Sequence, residues 1–197
     1  MTDRLVGLGP TPHEITLLET RRLSKSFGSL KAADGIDLGV AAGEAVGIIG
    51  PNGAGKSTLF NLIAGNVEVD SGAVLLEGRD ITRLPAHRRC HAGIGRSYQI
   101  PLPFESLTVF ENLAVAAVHG RGRSVGGAVE GCANILERTG LMRRANVAAG
   151  SLTLLERKRL EMARALATAP KLLLLDEIAG GLTESECHEL VATIKDI

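Results

Sequence analysis

The sequence predicts an α/β fold with a helical insertion. Three observations lead there. Short apolar runs that read as strands cluster toward both ends of the chain. Helical periodicity fills the middle. A glycine-rich turn links one early apolar run to a helix. The composition sets the bounds. Lysine plus arginine number 22 and aspartate plus glutamate 22 in 197 residues, so the formal net charge is zero. That balance lacks the single-sign field that nucleic acid demands, and aromatics at 3% give no stacking platform for single strands. A hydrophobic share of 45% excludes a disordered chain. Cys90, Cys132 and Cys187 form neither a CxxC pair nor a zinc spacing, which fits a reducing compartment. No run approaches the ~18 apolar residues of a membrane span. The start lacks the basic-then-apolar pattern of a signal peptide.

Taken in order, residues 1–14 read as a flexible tail. Residues 15–20, 36–40 and 45–49 are candidate strands; the last is a short apolar run with the look of a buried parallel strand. Residues 57–64 put Leu59, Leu62 and Ile63 on one helical face. A strand at 73–77 is ended by Gly78-Arg79-Asp80, and a short basic helix at 85–91 precedes a strand at 94–98. The two prolines of 100–104 mark a loop. Thr108 and Glu111 form a capping box for a helix to about Val118, and 120–127 is a Gly/Arg-rich linker carrying Arg121 and Arg123. A helix over 128–139 stops at Gly140. A long helix over 151–168 begins with a second box, Thr153 and Glu156, and ends before Pro170. Residues 171–176 are an apolar strand ending in acid. Thr183 and Glu186 open a last helix whose stripe is Cys187, Leu190, Ile194 and Ile197. Arg83, Arg88, Arg89, His87 and His91 read as a solvated basic face.

Two motifs carry chemistry. Gly50-Pro51-Asn52-Gly53-Ala54-Gly55-Lys56-Ser57-Thr58 fits G-x-x-x-x-G-K-[ST], the P-loop, between an apolar run and a helix. Gly53 and Gly55 allow successive amides to face one anion, and the following helix adds its positive end. Lys56 would neutralise the β- and γ-phosphates, and the Ser57 hydroxyl would ligate Mg²⁺. The second motif is the apolar strand that delivers Asp176 and Glu177 at its carboxyl end, where such sheets bind ligands. Asp176 would hold Mg²⁺, and Glu177 would polarise the attacking water as a general base.

With these motifs the chain resembles the ATP-binding subunit of an ABC transporter over about 15–197. Gly95-Arg96-Ser97-Tyr98-Gln99, Thr108-Val109-Phe110-Glu111-Asn112-Leu113 and Leu160-Glu161-Met162-Ala163-Arg164-Ala165-Leu166 are similar to the group that powers import of branched-chain amino acids. The resemblance implies a P-loop NTPase (RecA-like) core with an antiparallel β subdomain and a helical insertion subdomain. It divides the chain into a tail (1–14), an ATP-binding core with the β subdomain and P-loop (15–99), a helical subdomain with the signature segment (100–168) and an incomplete remainder of the core (169–197). Gln99 matches the Q-loop glutamine, in reach of metal and water. Phe27 matches the aromatic that stacks on adenine. Asn52, Gly53, Ala54, Gly55, Lys56, Ser57 and Thr58 would bind ATP, with Lys56, Gln99 and Glu177 catalytic and Ser57, Gln99 and Asp176 on the metal. Thr153 would reach nucleotide held by a second ATP-binding subunit, in a homo- or heterodimer. Transmembrane permease subunits, and indirectly a solute-binding protein, complete the implied partners, at the cytoplasmic face of the plasma membrane.

The sequence also departs from that family. The signature Leu-Ser-Gly-Gly-Gln is here Leu152-Thr153-Leu154-Leu155-Glu156. Two leucines replace the glycines, and a carboxylate replaces an amide. The departure threatens the partner's ATP site and implies a heterodimer with one strong and one weak site; an ordinary helix start is the other reading. Ile178 replaces a proline, and Thr183 stands in place of the D-loop aspartate, where it is equally suited to cap a helix. The family's switch histidine would follow the last helix, and His188 comes too early. The expectation is a fragment of a longer subunit, with apolar strands left unpaired, poorly stable and weakly or not hydrolytic by itself. A soluble non-transport ABC ATPase and a nucleotide-binding subunit or fragment without ATPase activity are the alternatives.

Overall fold

The computed structural model describes residues 16–121 and 125–195. The tail at 1–14, Ile15, Arg123 and Ile197 lie outside the described residues. The chain forms two compact units, Met1–Arg89 and Cys90–Ile197.

The first unit is built on an antiparallel sheet of order β2-β1-β3-β4, made from β1 (Thr16–Phe27), β2 (Leu30–Ala41), β3 (Ser71–Leu76) and β4 (Arg79–Asp80). The hairpin strands are about twice as long as their alternation predicted. Register shifts between Thr20 and Leu23 and between Leu23 and Lys25 break the two-residue period while leaving the pairing intact. Arg22, at φ 46°, sits in that irregularity, and its amide donates to Asp37 at 2.7 Å. Helix α1 (Lys56–Ala64) buries Leu59, Leu62 and Ile63, the predicted face. Each buried side chain contributes about 1.5–3 kcal/mol. Helix α2 (Ala86–Ala92) begins in this unit.

Residues 45–49 form no strand, contrary to expectation. The run has no ladder partner among the described residues, and it is exposed: Val46 at 43% and Ile49 at 87%. Apolar composition calls for burial but does not supply a neighbour to share N–H and C=O groups. The basic face needs correcting too. Arg89 is 2% exposed. Its guanidinium donates to the carbonyls of Leu62 (2.6 Å) and Ile63 (2.9 Å) at the end of α1, and to those of Thr82 and Leu84.

The second unit holds a parallel pair, β5 (Ile94–Arg96) and β6 (Leu172–Leu174), in register from Ile94↔Leu172 to Arg96↔Leu174. Both are shorter than the sequence suggested. Helices α3 (Val109–Arg121), α4 (Val125–Arg138) and α5 (Leu154–Ala167) pack around Leu113, Leu136, Leu141, Leu152 and Leu160, all buried. This is the helical insertion. The 120–127 linker is shorter than expected, because helix occupies Arg121 and resumes at Val125. Helix α6 (Glu184–Lys195) closes the described chain. All three Thr-x-x-Glu boxes form. Thr108, Thr153 and Thr183 each accept the amide three residues on, and the glutamate accepts the threonine amide in return. Thr183 is thus a helix cap.

Candidate functional site

In the first unit, the glycine-rich turn meets α1 at Gly55. Gly53 has φ 82° and Gly55 φ 90°. A Cβ on Gly55 would stand 2.2 Å from the Ala32 carbonyl oxygen of β2, so this turn lies against the sheet only because that atom is missing. Helix α1 has no side-chain cap and no acidic residue in its first turn. Its amino end keeps the positive potential that suits an anion. The Lys56 ammonium is folded over the same loop, donating to the carbonyls of Gly50 (2.6 Å) and Pro51 (2.9 Å). Asn52, Gly53, Ala54 and Ser57 are exposed, and Thr58 is half-buried. Phe27 is 49% exposed, with the Lys25 ammonium 5.6 Å from its ring centre. Phe27 pairs with Leu30, two residues before Ala32, so its hairpin runs directly into the strand that Gly55 touches.

In the second unit, the in-register ends of β5 and β6 place two pairs side by side. Arg96 donates to Asp176 at 3.3 Å, and Asp176 is 6% exposed. Beyond it, the Gln99 amide donates to the Glu177 carboxylate. Glu177 is exposed and sits at φ 43°. That left-handed backbone is uncommon for a residue with a side chain, and such strain collects at functional positions. From α5, the buried Lys158 ammonium donates to the main-chain carbonyls of Gln99 and Glu177. Burial pulls that ammonium below its usual range, against the carboxylates of Glu177 and Glu161. Burial also pushes the Glu161 carboxyl up, against the Arg164 guanidinium and the Tyr98 and Leu102 amides that favour its charge.

The segment 152–156 opens α5. Leu152 is buried in the helical core. Glu156 takes the Thr153 amide on one oxygen (2.9 Å) and the Arg144 guanidinium on the other (2.7 Å). The Thr153 amide, just ahead of α5, is therefore served by the protein's own carboxylate, and the Glu156 amide by the Thr153 hydroxyl. Leu154 is 44% exposed, and a Cβ on Gly181 would lie 3.2 Å from its Cδ2.

Of the predicted residues, Asp176, Glu177 and Gln99 converge within the second unit. Lys56, Ser57 and Phe27 belong to the first. Sequence reasoning missed Arg96 and Lys158. A signal existed for Lys158: with Glu161 and Arg164 it forms a charged line at three-residue spacing along α5.

Residues 33–180 match the ABC transporter family. The chain is 37% identical to the high-affinity branched-chain amino acid transport ATP-binding protein BraF of Pseudomonas aeruginosa, over 90% of this chain and 75% of that protein. It is 34% identical to the lipopolysaccharide export system ATP-binding protein LptB of Haemophilus influenzae, over 93% and 76%. A crystal structure of the ADP conformation of an ATP-binding cassette of an ABC transporter superposes with a TM-score of 0.82 at 34% identity, over 91% of this chain and 75% of that one.

Proposed function

The chain belongs to the ABC transporter family as an ATP-binding subunit, and on that premise we propose that it is the ATP-hydrolysing motor of a membrane importer for branched-chain or other amino acids. The observation that carries hydrolysis, beyond binding, is the pairing of Gln99 with Glu177 at the joint end of β5 and β6. It joins an amide able to orient water to a carboxylate able to take its proton. The turn at 52–58 binds the phosphates through amides and the α1 dipole, and Lys56 leaves its two carbonyl partners for phosphate oxygens. Phe27 offers its exposed ring to the base. The Ser57 hydroxyl of the first unit, and the Gln99 amide oxygen and Asp176 carboxylate of the second, are each hard oxygen donors of the kind Mg²⁺ takes, and these residues would hold it. When bound, the ion would supply charge stabilisation for phosphoryl transfer. Asp176 is held by Arg96 and Glu177 by Gln99, so both carboxylates are oriented by neighbouring side chains.

A second ATP-binding subunit and transmembrane permeases are the proposed partners. Exposed Tyr98, Ile100, Leu102 and Phe104 form an apolar surface suited to a membrane subunit. No helix among the described residues is long and apolar enough to cross a membrane; the place proposed for the subunit, the cytoplasmic face, follows from its proposed permease partners. The Glu156 cap favours a second reading for the opposite site. A carboxylate at the start of α5 repels a partner's γ-phosphate, so the Thr153 contact there is weak, and in a heterodimer the two sites are unequal. Steady-state ATP turnover with Mg²⁺ tests the main reading. Glu177→Gln should lower kcat by about 10²–10⁴-fold while ATP binding persists. Equal turnover in the variant, or none in the parent assembled with its partners, removes the motor assignment.

A further inference from the structure

Lys158, Glu161 and Arg164 form one line along α5, and all three meet the segment that follows β5. Lys158 is 4% exposed and donates to the carbonyls of Gln99 and Glu177. Glu161, 6% exposed, accepts the amides of Tyr98 and Leu102. Arg164 donates to Glu161 at 3.0 Å and to the Leu102 carbonyl at 2.9 Å, and its guanidinium lies 5.2 Å from the centre of the Phe104 ring. Buried charges are costly, and a helix can pack on a loop with apolar side chains alone. Lys158 and Glu161, both buried, therefore call for a reason. The carbonyls Lys158 selects supply one: they belong to the two residues whose side chains pair at the hydrolytic centre.

We infer that Lys158 is a positioning residue for hydrolysis, tying the main chain of Gln99 to that of Glu177 through α5. The inference rests on the motor reading above. The hydrogen bonds of Lys158 go to main-chain carbonyls and to neither reacting side chain. Lys158 sets where both are presented, and it makes their placement depend on the helix that opens at Thr153. A displacement at the amino end of α5 then reaches Gln99 and Glu177 together, because a helix moves as a rigid element.

The chain has one tyrosine and no tryptophan. Tyr98, beside Gln99, is therefore an intrinsic fluorophore for this segment. Lys158→Met should raise acrylamide quenching of Tyr98 roughly twofold, as expected when a local hold on the backbone is lost. It should lower kcat by about tenfold or more while the KM for ATP stays within about twofold, because misplacing reacting groups costs rate before binding. Lys158→Arg, which still donates to two carbonyls, should recover most of both. Unchanged quenching overturns the inference. So does a loss shared equally between kcat and ATP affinity with a lowered melting temperature, which marks general destabilisation. If the parent protein hydrolyses no ATP, the motor reading fails by itself, and the quenching of Tyr98 still decides whether Lys158 holds the segment.

Discussion

At the scale of single residues, Gly55 carries more than its motif states. The pattern G-x-x-x-x-G-K-[ST] shows that a turn must admit phosphate. It does not show that β2 presses on the same atom from behind. With φ 90° and the Ala32 oxygen 2.2 Å from a would-be Cβ, Gly55→Ala must either push the turn off β2 or unwind the first residues of α1. Nucleotide affinity should fall by about tenfold or more, since 1.4 kcal/mol is already tenfold and left-handed strain alone costs about 1–3 kcal/mol. Titration with a fluorescent ATP analogue measures it, and wild-type affinity in the variant would mean that the close approach is not required. Single residues also mark the limit of reading the sequence. Asp176, Glu177 and Gln99, singled out by type and order, do come together at the ends of β5 and β6. Arg89 was not legible in that way. Beside Arg88 and His87 it looked like solvated charge, whereas its guanidinium serves four carbonyls around the end of α1. Nothing local distinguishes a buried arginine from an exposed one when its partners are main-chain groups distant in sequence.

At the scale of elements, helix starts were legible and strand extents were not. A capping box depends on two side chains three residues apart, so Thr108, Thr153 and Thr183 could be read directly. Strand pairing depends on a partner elsewhere, and bulges such as those around Leu23 erase the alternation that reveals it. The box at α5 carries a pH dependence. Burial raises the Glu156 carboxyl, but the Thr153 amide and the Arg144 guanidinium outweigh it, and the net shift is below the ordinary value of 4.5. The folded state thus prefers the charged form. The stabilisation is complete above that ordinary value and is lost as pH falls through the depressed folded value. Glu156→Gln keeps a cap acceptor but not the charge. It should lower the melting temperature near pH 7 by about 2–4 °C, corresponding to about 1 kcal/mol. The gap between variant and parent should close as pH drops toward 3. Circular dichroism melts across that range measure it. A gap that persists or widens in acid would assign the stabilisation to some other group.

At the scale of the whole molecule, the α/β class, the antiparallel sheet and the helical insertion were predicted, because each follows from periodicity, motif order and resemblance acting together. What could not be read was which apolar runs find neighbours. Residues 45–49 look as buried in composition as 172–174, yet only the latter is paired, with β5. Ile49 at 87% and Val46 at 43% exposure leave branched apolar side chains and unladdered backbone facing water beside the glycine-rich turn. Such a segment is a template for pairing with another chain. The protein by itself should therefore bind a hydrophobic dye and self-associate as its concentration rises. Val46→Thr with Ile49→Thr should suppress both effects, because threonine keeps the branched shape while removing much of the apolar area. The circular dichroism spectrum should stay unchanged, since neither residue belongs to a formed element. Light scattering combined with dye titration decides the matter. A monodisperse monomer that ignores the dye, or a double variant that aggregates as much as its parent, would show that 45–49 is not the adhesive surface and shift attention to the exposed run Tyr98, Ile100, Leu102 and Phe104.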